Sequence, residues 1–263
     1  MIRKTLLILA GLWFLAPQVQ AQSLDGDRFG FSLGIFFTDR DTDARLDSAA
    51  DPGTPTDFEK DLGLDSSDNV FRLDGYYRFG ERHRVDFSIF DLSRNSTKQI
   101  ERDIQWGDRL YTIDTQINSQ FDLEIYKAAY TYSFLQRDSG YLGATFGIYV
   151  ADTAVSLAEE TLGQAEVGEL TAPLPVIGLR GERKLSERWT FRASGEIFAL
   201  KYDNIDGSLV DLYAGFDYGI TDKMSMGIGL NSVALDVDAE KSGFEGGLDW
   251  RYAGGLVFLK FSF

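Results

Sequence analysis

From Phe29 onward the chain alternates apolar and polar residues with a period of two, stretch after stretch. Successive side chains of a β-strand point to opposite faces, so the pattern predicts strands with two chemically different faces. The first, Arg28 to Thr38, sets Phe29, Phe31, Leu33, Ile35 and Phe37 against Gly30, Ser32, Gly34 and Thr38, with Phe36 the one aromatic exception. The second sets Phe71, Leu73, Tyr77 and Phe79 against Arg72, Asp74, Tyr76 and Arg78, and the third sets Val85, Phe87 and Ile89 against Arg84, Asp86 and Ser88. Further along, Ile177 and Leu179 alternate with Arg180 and Glu182, and Trp189, Phe191, Ala193 and Ile197 with Arg192, Ser194 and Glu196. Leu212, Ala214, Phe216 and Tyr218 then alternate with Asp211, Tyr213 and Asp217, and a last run carries Val257, Leu259, Phe261 and Phe263.

About ten such strands are predicted, each long enough for the ~9–11 residues that a tilted strand needs to cross a bilayer. Their connections alternate too. FGERHR, LQRDSG, KLSERW and GITDKM are short charged turns, whereas the intervening connections are mostly longer: roughly Asp39 to Asp68, Arg94 to Gln120 and Thr153 to Ala172, with shorter ones at Asp203 to Gly207 and Asp236 to Gly243. Residues Lys98 to Ile117 alternate around Trp106-Gly107-Asp108 and are expected to form a hairpin extension above a membrane rather than two more spanning strands.

A sheet in hydrocarbon cannot leave its edge donors and acceptors unpaired, so these strands must close into a ring. The expected fold is all-β, a transmembrane antiparallel up-and-down β-barrel, with eight or twelve strands as the alternatives to ten. A soluble β-sandwich also alternates, but it requires neither the long–short rule of connections nor a run of aromatic strand ends.

Composition narrows the function classes. No later stretch approaches ~18 consecutive apolar residues, which excludes a helical membrane protein. The chain has no Cys and a formal net charge of −15; it is neither a disulfide scaffold nor, by bulk charge, a nucleic-acid binder. The first residues, MIRKT, an apolar run from Leu6 to Ala16, and Val19-Gln20-Ala21 read as an export signal cleaved after Ala21, leaving a barrel from Gln22 to Phe263.

The segment GLVFLKFSF, with Val257, Leu259, Phe261 and Phe263 on one face, resembles the insertion signal of bacterial outer-membrane β-barrel proteins, and the turns YRFGER, RKLSERW and YGITDKM resemble their periplasmic turns. The resemblance implies export, insertion by the barrel-assembly machinery and contact with outer-membrane lipids and lipopolysaccharide; a monomer is expected because trimeric porins are usually larger. It specifies a membrane and an assembly route, not an activity.

Barrels of this kind that are enzymes place a His beside Asp, Ser or Glu near the outer rim. The only His here, His83, falls in a predicted periplasmic turn between Arg82 and Arg84, so no catalytic residue, cofactor or metal site is expected. The inward charges Arg72, Asp74, Arg78, Arg84, Asp86, Arg180, Glu182, Arg192, Glu196, Asp211 and Asp217, with Lys127 and Lys260 beside them, carry both signs on neighbouring strands. Two readings stand open. They form a salt-bridged plug, or they line a narrow pore in which small residues such as Gly143, Gly147, Gly227 and Gly229 leave room for water; Tyr141, Tyr149 or Tyr213 folding across the same gap would remove it. Asp39, Asp41 and Asp43 alternate in the first long connection, but Ala44 and Ala50 stand where a calcium loop needs Gly and Glu, so a solvated acidic loop is expected, with cation bridging to lipopolysaccharide the alternative. A structural or surface-interaction role through these loops is the first expectation, and a narrow passive channel the second.

Overall fold

The computed structural model describes residues 27–48, 52–160, 165–202, 205–241 and 244–263; the predicted leader, residues 1–21, lies outside them. The elements in chain order are β1 (Phe29–Leu46), β2 (Thr56–Asp57), β3 (Ser67–Arg78), β4 (His83–Gln99), β5 (Ile104–Trp106), β6 (Arg109–Tyr111), β7 (Gln116–Arg137), β8 (Gly140–Glu159), β9 (Ala165–Lys184), β10 (Trp189–Tyr202), β11 (Ile205–Gly219), β12 (Met224–Lys241) and β13 (Phe244–Ser262). All strands except β2, β5 and β6 pair antiparallel with their neighbours in turn, and β13 closes on β1 from Gly30↔Ser262 to Leu46↔Gly246. The result is a closed barrel of ten long strands, the predicted number.

The alternation lands as the physics requires. Phe71, Phe87, Phe146, Ile177, Leu212 and Leu230 are among the large apolar side chains left exposed, all on the outer face. A continuous belt of such residues is stable only against hydrocarbon. The belt ends at one level around the ring, where the next outward residue is Asp39 on β1, Asp91 on β4, Glu124 on β7, Asp152 on β8 or Lys201 on β10. Phe29, Phe31, Phe261 and Phe263 stack at the opposite end, beside the short turns.

The connections on the far side correct the expected long loops. β8 runs to Glu159 and β9 starts at Ala165, while β12 runs to Lys241 and β13 starts at Phe244. What read as loop from Thr153 to Ala172 and from Asp236 to Gly243 is mostly strand that continues past the belt, because ladder pairing does not stop where the apolar pattern does. Asp39, Asp41 and Asp43 likewise belong to β1, pointing outward, and not to an acidic loop. Among the described residues no group of three His, Cys, Asp or Glu is placed to hold a metal ion.

Above the belt, Asp43, Asp249 and Asp236 lie side by side on β1, β13 and β12. Partial burial, reinforced by these neighbouring carboxylates, raises the pKa of Asp43 and of Asp236. A carboxyl whose folded pKa is raised contributes stability at low pH that is lost as pH rises through that value. Asn at both Asp43 and Asp236 is therefore expected to raise urea stability at pH 7, by about 0.5 kcal/mol after solvent screening, and to change nothing near pH 3.

Candidate functional site

Every predicted inward charge does face the interior, and the structure joins them across it. Near the short-turn end Arg84 donates to Asp86 at 2.6 Å and lies 3.9 Å from Glu182, which Arg78 also approaches at 3.9 Å. Arg180 reaches from Asp86, at 3.6 Å, to Glu196, at 3.4 Å. Glu196, 1% exposed, accepts from Lys127, which also donates to Asp211, and the single Tyr149 O–H lies between these two carboxylates, within hydrogen-bond distance of both. Arg72 pairs with Asp74 at 3.0 Å and spans the interior to Asn231 at 2.6 Å, while Asn231 donates to Asp211 at 2.7 Å. Arg192 and Lys260 share Asp217, at 2.8 and 3.4 Å.

Cations and carboxylates nearly balance, so the network is self-satisfied rather than a single-sign surface for a charged ligand. Two of its joints, Tyr149 and Asn231, were not legible as such: an inward Tyr or Asn has no periodic signature separating a cross-strand bridge from a filler. Of the inner glycines, Gly227 and Gly229 hold rings instead of water, while Gly143 lies against Thr131 and Gly147 against Ala129. A Cβ on Gly229 would lie 2.7 Å from the Tyr213 ring, and one on Gly227 would overlap that of Phe258. A cavity of about 70 Å³ remains, bordered by Arg72, Lys127, Arg192, Asp211 and Lys260, room for roughly a handful of waters.

Towards the long-connection end the interior changes character. Phe36, Phe90, Trp250 and Tyr252 form one aromatic layer, with Tyr252 stacked on Phe90 at 5.5 Å and edge-on to Phe36 at 5.2 Å. The Tyr252 hydroxyl donates to Asn231 and so ties this layer to the polar network. Above it, Phe58 packs on Phe121 at 5.6 Å and Trp106 at 5.9 Å, with Leu62, Ile100 and Ile104 buried around them. Phe36, the inward aromatic of the first strand, was a trace of this stopper in the sequence.

Two connections build it. The hairpin β5–β6 turns through Gly107-Asp108, with Gly107 at φ 57°, where a residue without Cβ is favoured. It does not extend above the barrel, as the alternation around it suggested. It folds across the mouth: Gly107 N–H donates to Leu46 O at 2.9 Å and Tyr111 Oη to Leu157 O at 2.6 Å. A ring as apolar as Trp106 next to Ile104 gains more by burial there than by standing in water.

The second connection, residues 54–66, fills the space beside β1 above the shorter β3. Arg94 of β4 clamps it, donating to Glu59 at 2.5 Å, Asp65 O at 3.1 Å and Thr42 at 2.7 Å, with its guanidinium over Phe121. Arg94→Ala removes charge-assisted bonds of about 1.5–3 kcal/mol each. Limited trypsin digestion is then expected to cut at exposed Lys60 at least roughly tenfold faster, with the barrel otherwise folded.

His83 opens β4 at the short-turn end, outside the interior. Its Nδ1 lies 2.7 Å from the Tyr130 hydroxyl and its ring stacks near Phe79. No acid–base partner set surrounds it among the described residues.

No protein-family model and no curated protein sequence matches the chain. Solved structures do. The outer-membrane protease OmpT from Escherichia coli aligns over 93% of this chain and 99% of its own with a TM-score of 0.58 at 10% identity. The attachment invasion locus protein Ail of Yersinia pestis aligns over 88% and 99% with a TM-score of 0.40 at 11% identity.

Proposed function

Starting from the premise that this chain has the fold of the bacterial outer-membrane β-barrels, we propose that it is a sealed, non-enzymatic barrel that acts through its surface. The observation that carries this is the stopper of Phe58, Trp106, Phe121 and Trp250, stacked over a charge network whose members are paired with one another. An ion crossing it would have to leave water in a mostly apolar layer where the charges of Arg94 and Glu59 are already paired with each other, a cost of several kcal/mol. Work done at the far end then falls to the strand extensions and connections above the belt, which carry the row Asp43, Asp249 and Asp236.

The reading includes export after cleavage of residues 1–21, insertion by the barrel-assembly machinery into the outer membrane of a Gram-negative cell, and a monomer in contact with lipopolysaccharide. The likeness to OmpT supports the fold alone. No protease role is carried over, because His83 lies at the opposite end from the rim and outside the interior.

Single-channel recording of refolded Gln22 to Phe263 tests the proposal, with heat-sensitive gel mobility as the measure of folding. The expected record has no reproducible steps. A narrow channel is the second reading, favoured by the cavity of about 70 Å³ among the charges; steps whose selectivity changes with Arg192→Glu would establish it and overturn the sealed barrel.

A further inference from the structure

The wall is paired at every junction but loses its pairing early at two. β3 and β4 part beyond Arg72↔Phe90, and there residues 54–66 bind β4, Arg94 donating to Asp65 O and Ser96 to Leu62 O; among the described residues the other junction has no such insert. β9 and β10 are in register from Thr190↔Lys184 to Ile197↔Ile177 and no further. Each strand nevertheless continues with its other neighbour, β9 along β8 to Ala165 and β10 along β11 to Tyr202. Above Ile177 the two strands part because β9 bends over the mouth. Gly168 packs against Leu46 of β1, and the backbone of Glu166 meets the Tyr111 hydroxyl. The bend that helps close the mouth opens a seam in the wall.

The seam starts inside the apolar belt. Pro175 and Pro173 stand in register with Ile148 and Val150 of β8, and the outward residues that follow Ile197 on β10 are Ala199 and then Lys201. An open sheet edge at this depth leaves backbone groups unpaired at several kcal/mol each. The sequence reduces that number with Pro173 and Pro175, which carry no N–H and are tolerated in a strand where one side lacks a partner. Pairing parity puts Leu200 on the same face as Glu196 and Ser194, the interior. Yet Leu200 is 44% exposed, while Leu174 and Val176, which a continued register would set opposite Leu200 and Phe198, are buried. The seam is thus bordered by apolar residues on both strands and is continuous with the lipid-facing belt.

We infer that the seam between β9 and β10 is a binding groove for one acyl chain of an outer-leaflet lipid. The occupant is set by position: the groove opens onto the belt below the charged ring of Asp152 and Lys201, where the surrounding medium is hydrocarbon. Ala199 and the two prolines present no side-chain donor that would select water or a polar strand instead.

The chain has no cysteine of its own, so Leu200→Cys carries a small diazirine label at one site. The refolded protein is placed in lipid discs of palmitoyl-oleoyl phosphatidylcholine, irradiated and read by mass spectrometry, with folding checked by gel mobility. Ser194→Cys, which has the same parity in the paired part of β10, and outward Ala193→Cys are the references, and Phe198→Cys is a second reporter one rung lower. The expected result is a lipid adduct at position 200 within about twofold of that at 193 and at least tenfold above that at 194. A water-quenched product alone at 200 and 198 overturns the proposal, as does insertion only into the protein's own chain or a cross-link to a second copy.

Discussion

Lys127→Met is expected to lower the urea stability of the refolded barrel by about 3–5 kcal/mol, the cost of removing one partner from a buried ion pair. Lys127 is the cation between Glu196 and Asp211, and it lies over the Tyr149 ring at 4.8 Å. A thioether of similar length keeps the packing but leaves two carboxylates facing each other in a low-dielectric interior. Lys127→Met with Glu196→Gln should recover a substantial part of the loss, because the residual charge on Asp211 keeps Asn231 and Tyr149 as donors. Equal loss in the single and double variants, read by equilibrium unfolding from lipid vesicles, would mean that packing rather than charge holds this layer.

Trp106→Ala should cost a similar ~3–5 kcal/mol, here as cavity and lost transfer energy. The ring is fully buried against Phe58, and its removal undoes the reason for β5–β6 to lie across the mouth. The expected signs are protease cleavage within the hairpin and intermittent current steps that the parent chain lacks. Trp106→Phe should cost about half as much or less, since the indole Nε1–H has no hydrogen-bond partner among the described residues. If both variants are silent in the bilayer and as resistant to protease as the parent, the hairpin is not the stopper.

These two effects come from halves of the interior that differ in how legible they were. The charged half was visible in the sequence as Arg72 and Asp74, Arg84 and Asp86, Arg180 and Glu182, each at odd spacing from the outward apolar residues of its strand. Period two is a local property, so strand number, face assignment and the short turns could all be read from it. The apolar half was hidden. Leu92 on β4, Leu123 on β7 and Val155 on β8 face inward, but a strand that is apolar on its inner face and polar on its outer one above the membrane alternates just as well as its reverse. The polarity of the pattern switches at the charged ring, and the strand residues beyond that ring resemble loop.

A ring of antiparallel strands with an apolar outside could be read from the chain alone, because side-chain alternation, the long–short rule of connections and the demand for paired backbone groups in hydrocarbon point to one fold. Only the tertiary structure decided what fills the ring. Lys127 meets Asp211, and Arg72 meets Asn231, across strands separated by many residues of chain, and Trp106 reaches the interior only because its hairpin folds inward. Such contacts depend on the stagger and closure of the whole barrel, and no periodicity along one strand encodes which residue will stand opposite on another.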